Sequence, residues 1–116
     1  MMITVGDVAE RLSAKVVAGE ERLARPVTGG YVGDLLSCVM AGASAGDVWV
    51  TVQGHPNVVA VATLVGISAI LVAEGARIDP GTVEKANQEG IPLLSSQKRS
   101  FVLVEGLVGI GVRASD

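Results

Sequence analysis

The sequence predicts an α/β fold: a three-layer-like domain with a small, mostly parallel sheet, a β-α-β-α-β-α core, an N-terminal helix and a short hairpin. Between residues 47 and 94, three strand-like runs alternate with two helix-like runs, an order that implies parallel strands joined by right-handed crossovers. Hydrophobic residues make up 49% of the 116-residue chain and charged residues 18%, which is enough apolar material for one buried core. We therefore expect a single domain over residues 1–116.

The N-terminal helix is predicted from its cap and from its apolar spacing. Thr4 and Asp7 stand three residues apart, as in a capping box with Asp in place of the usual Glu. The apolar residues that follow keep the i, i+3, i+4, i+7 spacing of one helical face. They are Val5, Val8, Ala9 and Leu12.

Two short strands are predicted next, at residues 15–18 and 26–31. Gly19 ends the first of them, and the two strands could pair with each other as a hairpin. Residues 35–40 then form a short helix or turn, which Gly42 closes.

The central elements are predicted from residue type and from the glycines and prolines that bound them. The run DVWVTV is β-branched and aromatic and is bounded by glycines, while SAILVA is the continuous apolar run of a strand covered on both faces. Pro56 and Pro80 stand where the two helices that follow these strands begin, and proline suits the first position of a helix. The elements are a strand over 47–52, a helix over 57–65, a strand over 68–73, a helix from Asp79-Pro80 to Gly90 and a strand over 91–94.

Residues 100–112 are ambiguous from their composition. The run FVLVEGLVGIGV has the residue preferences of a strand. Its apolar residues Phe101, Val104, Leu107 and Val108 nevertheless keep helical spacing. Propensity alone leaves both structures open.

Composition and charge exclude several classes of protein. A net charge of −3, with no cluster of Lys and Arg, argues against a nucleic-acid partner. No run is long and apolar enough for a membrane span, and the N-terminus lacks the layout of a signal peptide. The single cysteine, Cys38, fits a reducing cytoplasm and is expected to be a small core residue. With one His and one Cys, and no carboxylates at ligand spacing, we expect no metal.

A ligand site is predicted at the carboxyl ends of the parallel strands, where the loops lead into helices. That rule selects residues 53–55, 74–75 and 95–96, and so includes His55, the only histidine. The free N–H groups near Asn57 and Val58 would add a weak anion site at the start of the next helix. In the alternative interpretation, His55 only caps that helix.

Catalytic constellations are hard to find. The sequence contains no GxxxxGK[ST] loop, and Gly106 to Gly111 has the wrong spacing for a dinucleotide, so we expect no cofactor. A relay of Ser37, His55 and Asp34 could be drawn, but no GxSxG elbow supports it.

Several separated blocks resemble the DRTGG domain family. They are VTGGYVGDLLSCVM, the block WVTVQGHPNVVAVA, the block KANQEGIPLL and the final SF...L..IGV, and together they span roughly Thr4 to Val112. The Asp-Arg-Thr-Gly-Gly of that family is present only as Thr28, Gly29 and Gly30. Pro26 and Val27 stand where the family has its acidic and basic members.

The resemblance carries expectations of fold and function. Such domains resemble the N-terminal domains of HPr kinase/phosphorylase and of Mur ligases, and also occur inside CBS-domain pyrophosphatases. There they are regulatory modules, often at a dimer interface, which implies a homodimer here. The resemblance also favours a helix over residues 101–110. The ligand-binding candidates are Thr28, Gly29, Gly30, Gln53, His55 and Asn57.

Three functions follow as hypotheses. The first is a non-catalytic regulatory module that homodimerises and senses a nucleotide or another small anionic ligand. Its self-association is inferred from the helix over 57–65, which is apolar on almost every face and would need a second cover. The second is a pure protein-interaction module of a redox or hydrogenase system, since some short family members are encoded near such genes. The third is a small enzyme with His55 as general base.

Overall fold

The computed structural model describes residues 2–114 and contains five α-helices, one short 3-10 helix (Glu20–Arg22) and seven strands in that range. The helices are α1 (Val5–Arg11), α2 (Leu36–Gly42), α3 (Asn57–Val65), α4 (Pro80–Glu89) and α5 (Ser100–Gly109). The strands are β1 (Ile3–Thr4), β2 (Lys15–Ala18), β3 (Pro26–Val27), β4 (Gly29–Val32), β5 (Asp47–Thr51), β6 (Ala69–Val72) and β7 (Leu93–Ser95).

The main sheet has five strands in the order β2-β7-β6-β5-β4. The four strands β4, β5, β6 and β7 are parallel, and only β2 runs antiparallel, against β7. Strands β1 and β3 form a separate antiparallel pair. The predicted α/β class with a mostly parallel sheet is confirmed.

Two apolar clusters, one on each face of the sheet, make the domain three-layered. Helices α1 and α5 cover one face, where Leu103 and Leu107 pack with Val48 and Val50 of β5. Helices α2, α3 and α4 cover the other face, around the fully buried Trp49. Successive residues of β5 thus point to opposite layers, as a strand requires.

The predicted hairpin is wrong. Strand β2 pairs with β7 at one edge of the sheet, whereas β4 pairs with β5 at the other edge. The predicted strand over 26–31 divides at Thr28: its first part pairs with β1, and its second part becomes the fourth parallel strand. The order β4-α2-β5 extends the parallel pattern by one unit toward the N-terminus.

The predictions at the two ends of the chain hold. The Thr4 hydroxyl accepts the Asp7 N–H at 3.1 Å and the Asp7 carboxylate accepts the Thr4 N–H at 2.9 Å, so the capping box of α1 is present. Residues 100–109 form α5, which confirms the helix favoured by the resemblance. The burial pattern decides between helix and strand: Leu103 and Leu107 are buried, whereas Phe101 and Glu105, which would share their face in a strand, are exposed.

Two expectations about burial do not hold. Cys38 is exposed, because α2 buries only Val39 and turns its neighbours outward. Helix α3 buries its valines within its own chain, against the sheet and between α2 and α4. The apolar sequence of α3 therefore does not by itself require a second subunit.

Candidate functional site

The carboxyl ends of the parallel strands meet at one edge of the sheet, which we call the carboxyl rim. Thr51 of β5 pairs with Val72 of β6, and Val72 pairs in turn with Ser95 of β7. The chain segments beyond these residues therefore leave the sheet side by side, with an Ala73 N–H donated to the Thr51 carbonyl at 2.8 Å. The predicted convergence of the three loops at residues 53–55, 74–75 and 95–96 is confirmed.

Strand β4 adds Asp34 to this rim. One carboxylate oxygen of Asp34 accepts both the Thr51 hydroxyl and the Val52 N–H, each at 2.8 Å. The Asp34 carbonyl oxygen accepts the side-chain amide of Gln53 at 3.2 Å. Asp34 thus ties the end of β4 to the end of β5 and orients Gln53. The sequence could have indicated this position, since Asp34 follows a strand as Gln53 does. The hairpin prediction, however, did not make that strand part of the parallel sheet.

The loop that carries Gln53 and His55 is held in place through Gly54. The Gly54 carbonyl accepts the Asp79 N–H at 3.1 Å and the Thr82 hydroxyl at 2.6 Å. A Cβ on Gly54 would lie only 1.9 Å from the Arg77 carbonyl oxygen. The glycine therefore allows the loop to pack closely on the segment that enters α4.

His55 caps α3 with its own ring. Its Nδ1 accepts the Asn57 N–H at 3.0 Å, and its carbonyl accepts the Val58 N–H at 3.0 Å. The two amides that were expected to form an anion site are thus already engaged. Because Nδ1 is the acceptor, the donor of the neutral ring is Nε2, and the His55 side chain is exposed at the rim.

Glu74 closes the start of α5 in a comparable way. One of its carboxylate oxygens accepts the Ser100 N–H at 3.1 Å and the Ser100 hydroxyl at 3.0 Å. These bonds from Ser100, with a smaller contribution from the positive charge of Arg99, lower the pKa of Glu74, and the nearby Asp34 charge opposes the shift. Glu74 adopts φ 62°, a left-handed conformation that is uncommon for a residue with a side chain. This part of the rim therefore presents carboxylate groups rather than free backbone N–H groups.

Thr28, Gly29 and Gly30 lie at the other end of the strands, where β4 and β5 begin. The Thr28 N–H donates to the Gly46 carbonyl, and Gly29 pairs with Asp47 at the start of β5. Gly29 and Gly30 pair with Asp47 and Val48, which precede Thr51 at the rim by four and three residues, or about 13 and 10 Å at a rise near 3.3 Å per residue. The structure therefore brings Gln53, His55 and Asn57 together and places the TGG residues elsewhere. Val27, at the position of the family arginine, is buried in the core.

Other chemistries find little support in residues 2–114. Asp34 is bonded to Thr51 and Val52, and His55 Nδ1 is bonded to Asn57, so the drawn relay with Ser37 is not assembled. The described range holds no group of three or more His, Cys, Asp or Glu side chains placed to bind a metal ion. None of the helices between residues 2 and 114 has the length and apolar character needed to cross a membrane.

Comparisons with known proteins bear on family and fold. Among solved structures, the chain is similar to the CBS and DRTGG domains of the regulatory region of Clostridium perfringens pyrophosphatase, complexed with its activator, diadenosine tetraphosphate, with TM-score 0.73 and 20% identity. The similarity covers 90% of this chain and 46% of that chain, so this protein spans about half of its neighbour's length. No curated protein sequence matches. The family model described as the DRTGG domain matches residues 7–108, and the chain therefore belongs to the DRTGG domain family.

Proposed function

We propose that this domain is a non-catalytic regulatory module that senses a small ligand at the carboxyl rim. The observation that carries the proposal is the gathering of Asp34, Gln53, His55 and Glu74 on one sheet edge by four parallel strands. In open parallel sheets, ligands bind at this edge. The regulatory role is supported by the structural neighbour, which is a regulatory region.

The polar groups of the rim favour a nucleotide over a simple anion. In the described structure Asp34 and Glu74 each use one carboxylate oxygen, so the other oxygen can accept a hydrogen bond from a ribose hydroxyl. The Nε2 of His55 and the guanidinium of Arg99 can donate to a phosphate. A bare phosphate would meet two carboxylates without compensation from a ribose. The activator bound to the pyrophosphatase region, diadenosine tetraphosphate, supports this ligand class.

The alternative of a small enzyme would use His55 as general base. Its Nδ1 is occupied by the Asn57 N–H, which leaves only Nε2 for proton transfer. None of the described hydrogen bonds joins the His55 ring to a Ser, Thr or Cys side chain. The regulatory proposal therefore uses His55 as a helix cap and hydrogen-bond donor. A turnover that disappears in His55→Ala would favour the enzyme.

We also propose that the module acts as a homodimer. The described surface carries several exposed apolar side chains, and ligand sensing by so small a domain needs a second surface to transmit the bound state. A partner protein, as in a redox or hydrogenase system, is the alternative occupant of that surface.

A thermal-shift panel tests the ligand proposal. Diadenosine tetraphosphate, ATP, AMP and a uridine nucleotide are each added to the purified chain at millimolar concentration. A ligand at about 100 times its Kd stabilises the folded state by about 2.7 kcal/mol, which is a readily measured shift in Tm. We expect Asp34→Asn to reduce the shift and Thr28→Ala, at the other sheet edge, to leave it unchanged. If no nucleotide shifts Tm, or if Thr28→Ala alone removes the shift, the rim proposal is wrong.

A further inference from the structure

The two edges of the main sheet differ in their protection against pairing with another strand. The edge strand β2 begins with Lys15 and carries a register shift between Val16 and Ala18, and a charge and a bulge both discourage edge pairing. The other edge strand, β4, keeps a continuous register with β5 from Gly29 to Val32 and contains no charge, proline or bulge. The composition and register of β4 therefore offer none of these obstacles to pairing with a further strand.

An apolar groove runs beside β4 on the sheet face that α5 covers. The groove has a volume of about 190 Å³ and lies between β4, β5 and α5. Val32 on its β4 side is 52% exposed, and Val108 on its α5 side is 51% exposed. Phe101, which is 83% exposed, lies seven residues before Val108 and thus on the same stripe of α5. Other apolar residues that line the groove include Val48, Val50, Val104, Leu107 and Val112.

The charges at the two ends of the groove are opposite. Asp34 follows β4 at its carboxyl end. At the other end, Arg113 lines the groove close to Gly30, with its guanidinium donating to the Val108 carbonyl at 3.1 Å. A surface with a negative and a positive end is complementary to a copy of itself that is turned by 180°.

We infer that the occupant of this surface is a second copy of the chain, with the two β4 strands pairing antiparallel about a twofold axis. Each sheet would then continue into the other, Val32 and Val108 would be covered by the partner, and the Asp34 end of one copy would face the Arg113 end of the other. The inference rests on the proposed homodimer and names the surface that forms it. The carboxyl rim lies at the end of this surface, so a ligand at Asp34 could alter the association.

Sedimentation velocity from low to high micromolar concentration, on the wild type and three variants, tests the inference. Val108→Glu places a charge in the proposed contact, and Arg113→Glu makes both ends of the groove negative. We expect either change to weaken dimerisation at least about tenfold, because uncompensated or like charges at an interface are costly. The matched control is Leu64→Glu, at a 75% exposed apolar residue of α3 outside the groove, which should leave the dimer unchanged. Circular dichroism confirms that each variant is folded.

Hydrogen exchange gives a readout that does not depend on substitutions. If β4 pairs with its copy, the outward amides of Gly29–Val32 should exchange more slowly at high than at low protein concentration, whereas those of β2 should not change. A wild-type monomer at all concentrations would overturn both the homodimer and this surface. A wild-type dimer that is insensitive to Val108→Glu and Arg113→Glu, or whose β4 amides show no concentration dependence, would overturn the surface alone.

Discussion

Replacing Thr82 with Val should loosen the loop that presents Gln53 and His55. Thr82 is 1% exposed, and its hydroxyl donates to the Gly54 carbonyl at 2.6 Å. Valine keeps the shape of the side chain but removes this buried hydrogen bond, whereas Gly54 retains the Asp79 N–H as a donor. We expect a loss of about 1 kcal/mol in the free energy of unfolding. For a domain of this size that corresponds to a fall in Tm of roughly 3–6 °C.

Thr63 provides the matched control, because it is an exposed threonine on α3 that donates to the Val59 carbonyl one helical turn earlier, at 2.9 Å. That bond competes with water, so Thr63→Val should change stability by less than about 0.5 kcal/mol. Urea unfolding can be followed by the fluorescence of the single tryptophan, Trp49, which is fully buried. If Thr82→Val were no more destabilising than Thr63→Val, the assigned role of the Thr82 bond would be refuted.

Substitutions at three further residues, Asp34, Glu74 and Gly54, test the rim. Asp34→Ala should lower the free energy of unfolding in urea by about 1–2 kcal/mol, because the Thr51 hydroxyl and the Val52 N–H lose their acceptor. Asp34→Asn should lower it clearly less. Equal losses would contradict the hydrogen-bonding role of Asp34. The lowered pKa of Glu74 means that its carboxylate contributes fully to stability above its ordinary value of 4.5 and loses that contribution as pH falls through the folded value. The Tm advantage of wild type over Glu74→Gln should therefore shrink below pH 4.5, and an advantage that stays constant to pH 3 would count against the Ser100 contacts. Gly54→Ala should destabilise the protein by about 1–3 kcal/mol, because the added methyl group clashes with the Arg77 carbonyl. Gly109→Ala, in open space on α5, should stabilise it slightly. If Gly54→Ala were the more stable of the two variants, the loop would be able to move aside.

The central part of the fold could be predicted because the residue pattern of each strand and helix agrees with its burial in the structure. The run from Asp47 to Thr51 is buried at every residue, and β6 is buried throughout, as expected for strands covered on both faces. Helices α3 and α4 end at Gly66 and Gly90, both left-handed, where the sequence places glycine. In these elements local preference and tertiary packing favour the same structure.

The strand pairing near the N-terminus could not be predicted from local preference. Two short strands separated by a turn satisfy a hairpin pattern, yet long-range pairing places β2 and β4 at opposite edges. That pairing also fixes where Thr28 and Asp34 lie, because the two residues flank the same strand, β4. Because the hairpin prediction missed the pairing of β4 with β5, it placed neither Asp34 at the rim nor the TGG residues at the other end of the strands. For α5, propensity favours a strand, but Leu103 and Leu107 are buried while Phe101 and Glu105 are exposed, and this burial pattern fits a helix and not a strand.

The most direct test of ligand sensing at the carboxyl rim is a titration of the ¹⁵N-labelled chain with diadenosine tetraphosphate, followed residue by residue in amide NMR spectra. Binding at the rim predicts that the largest shifts fall on Asp34 and on residues 53–55, 74–75 and 95–100, with residues 28–30 nearly unmoved. Shifts centred on residues 28–30, or no shifts with this or any other nucleotide at millimolar concentration, would contradict it.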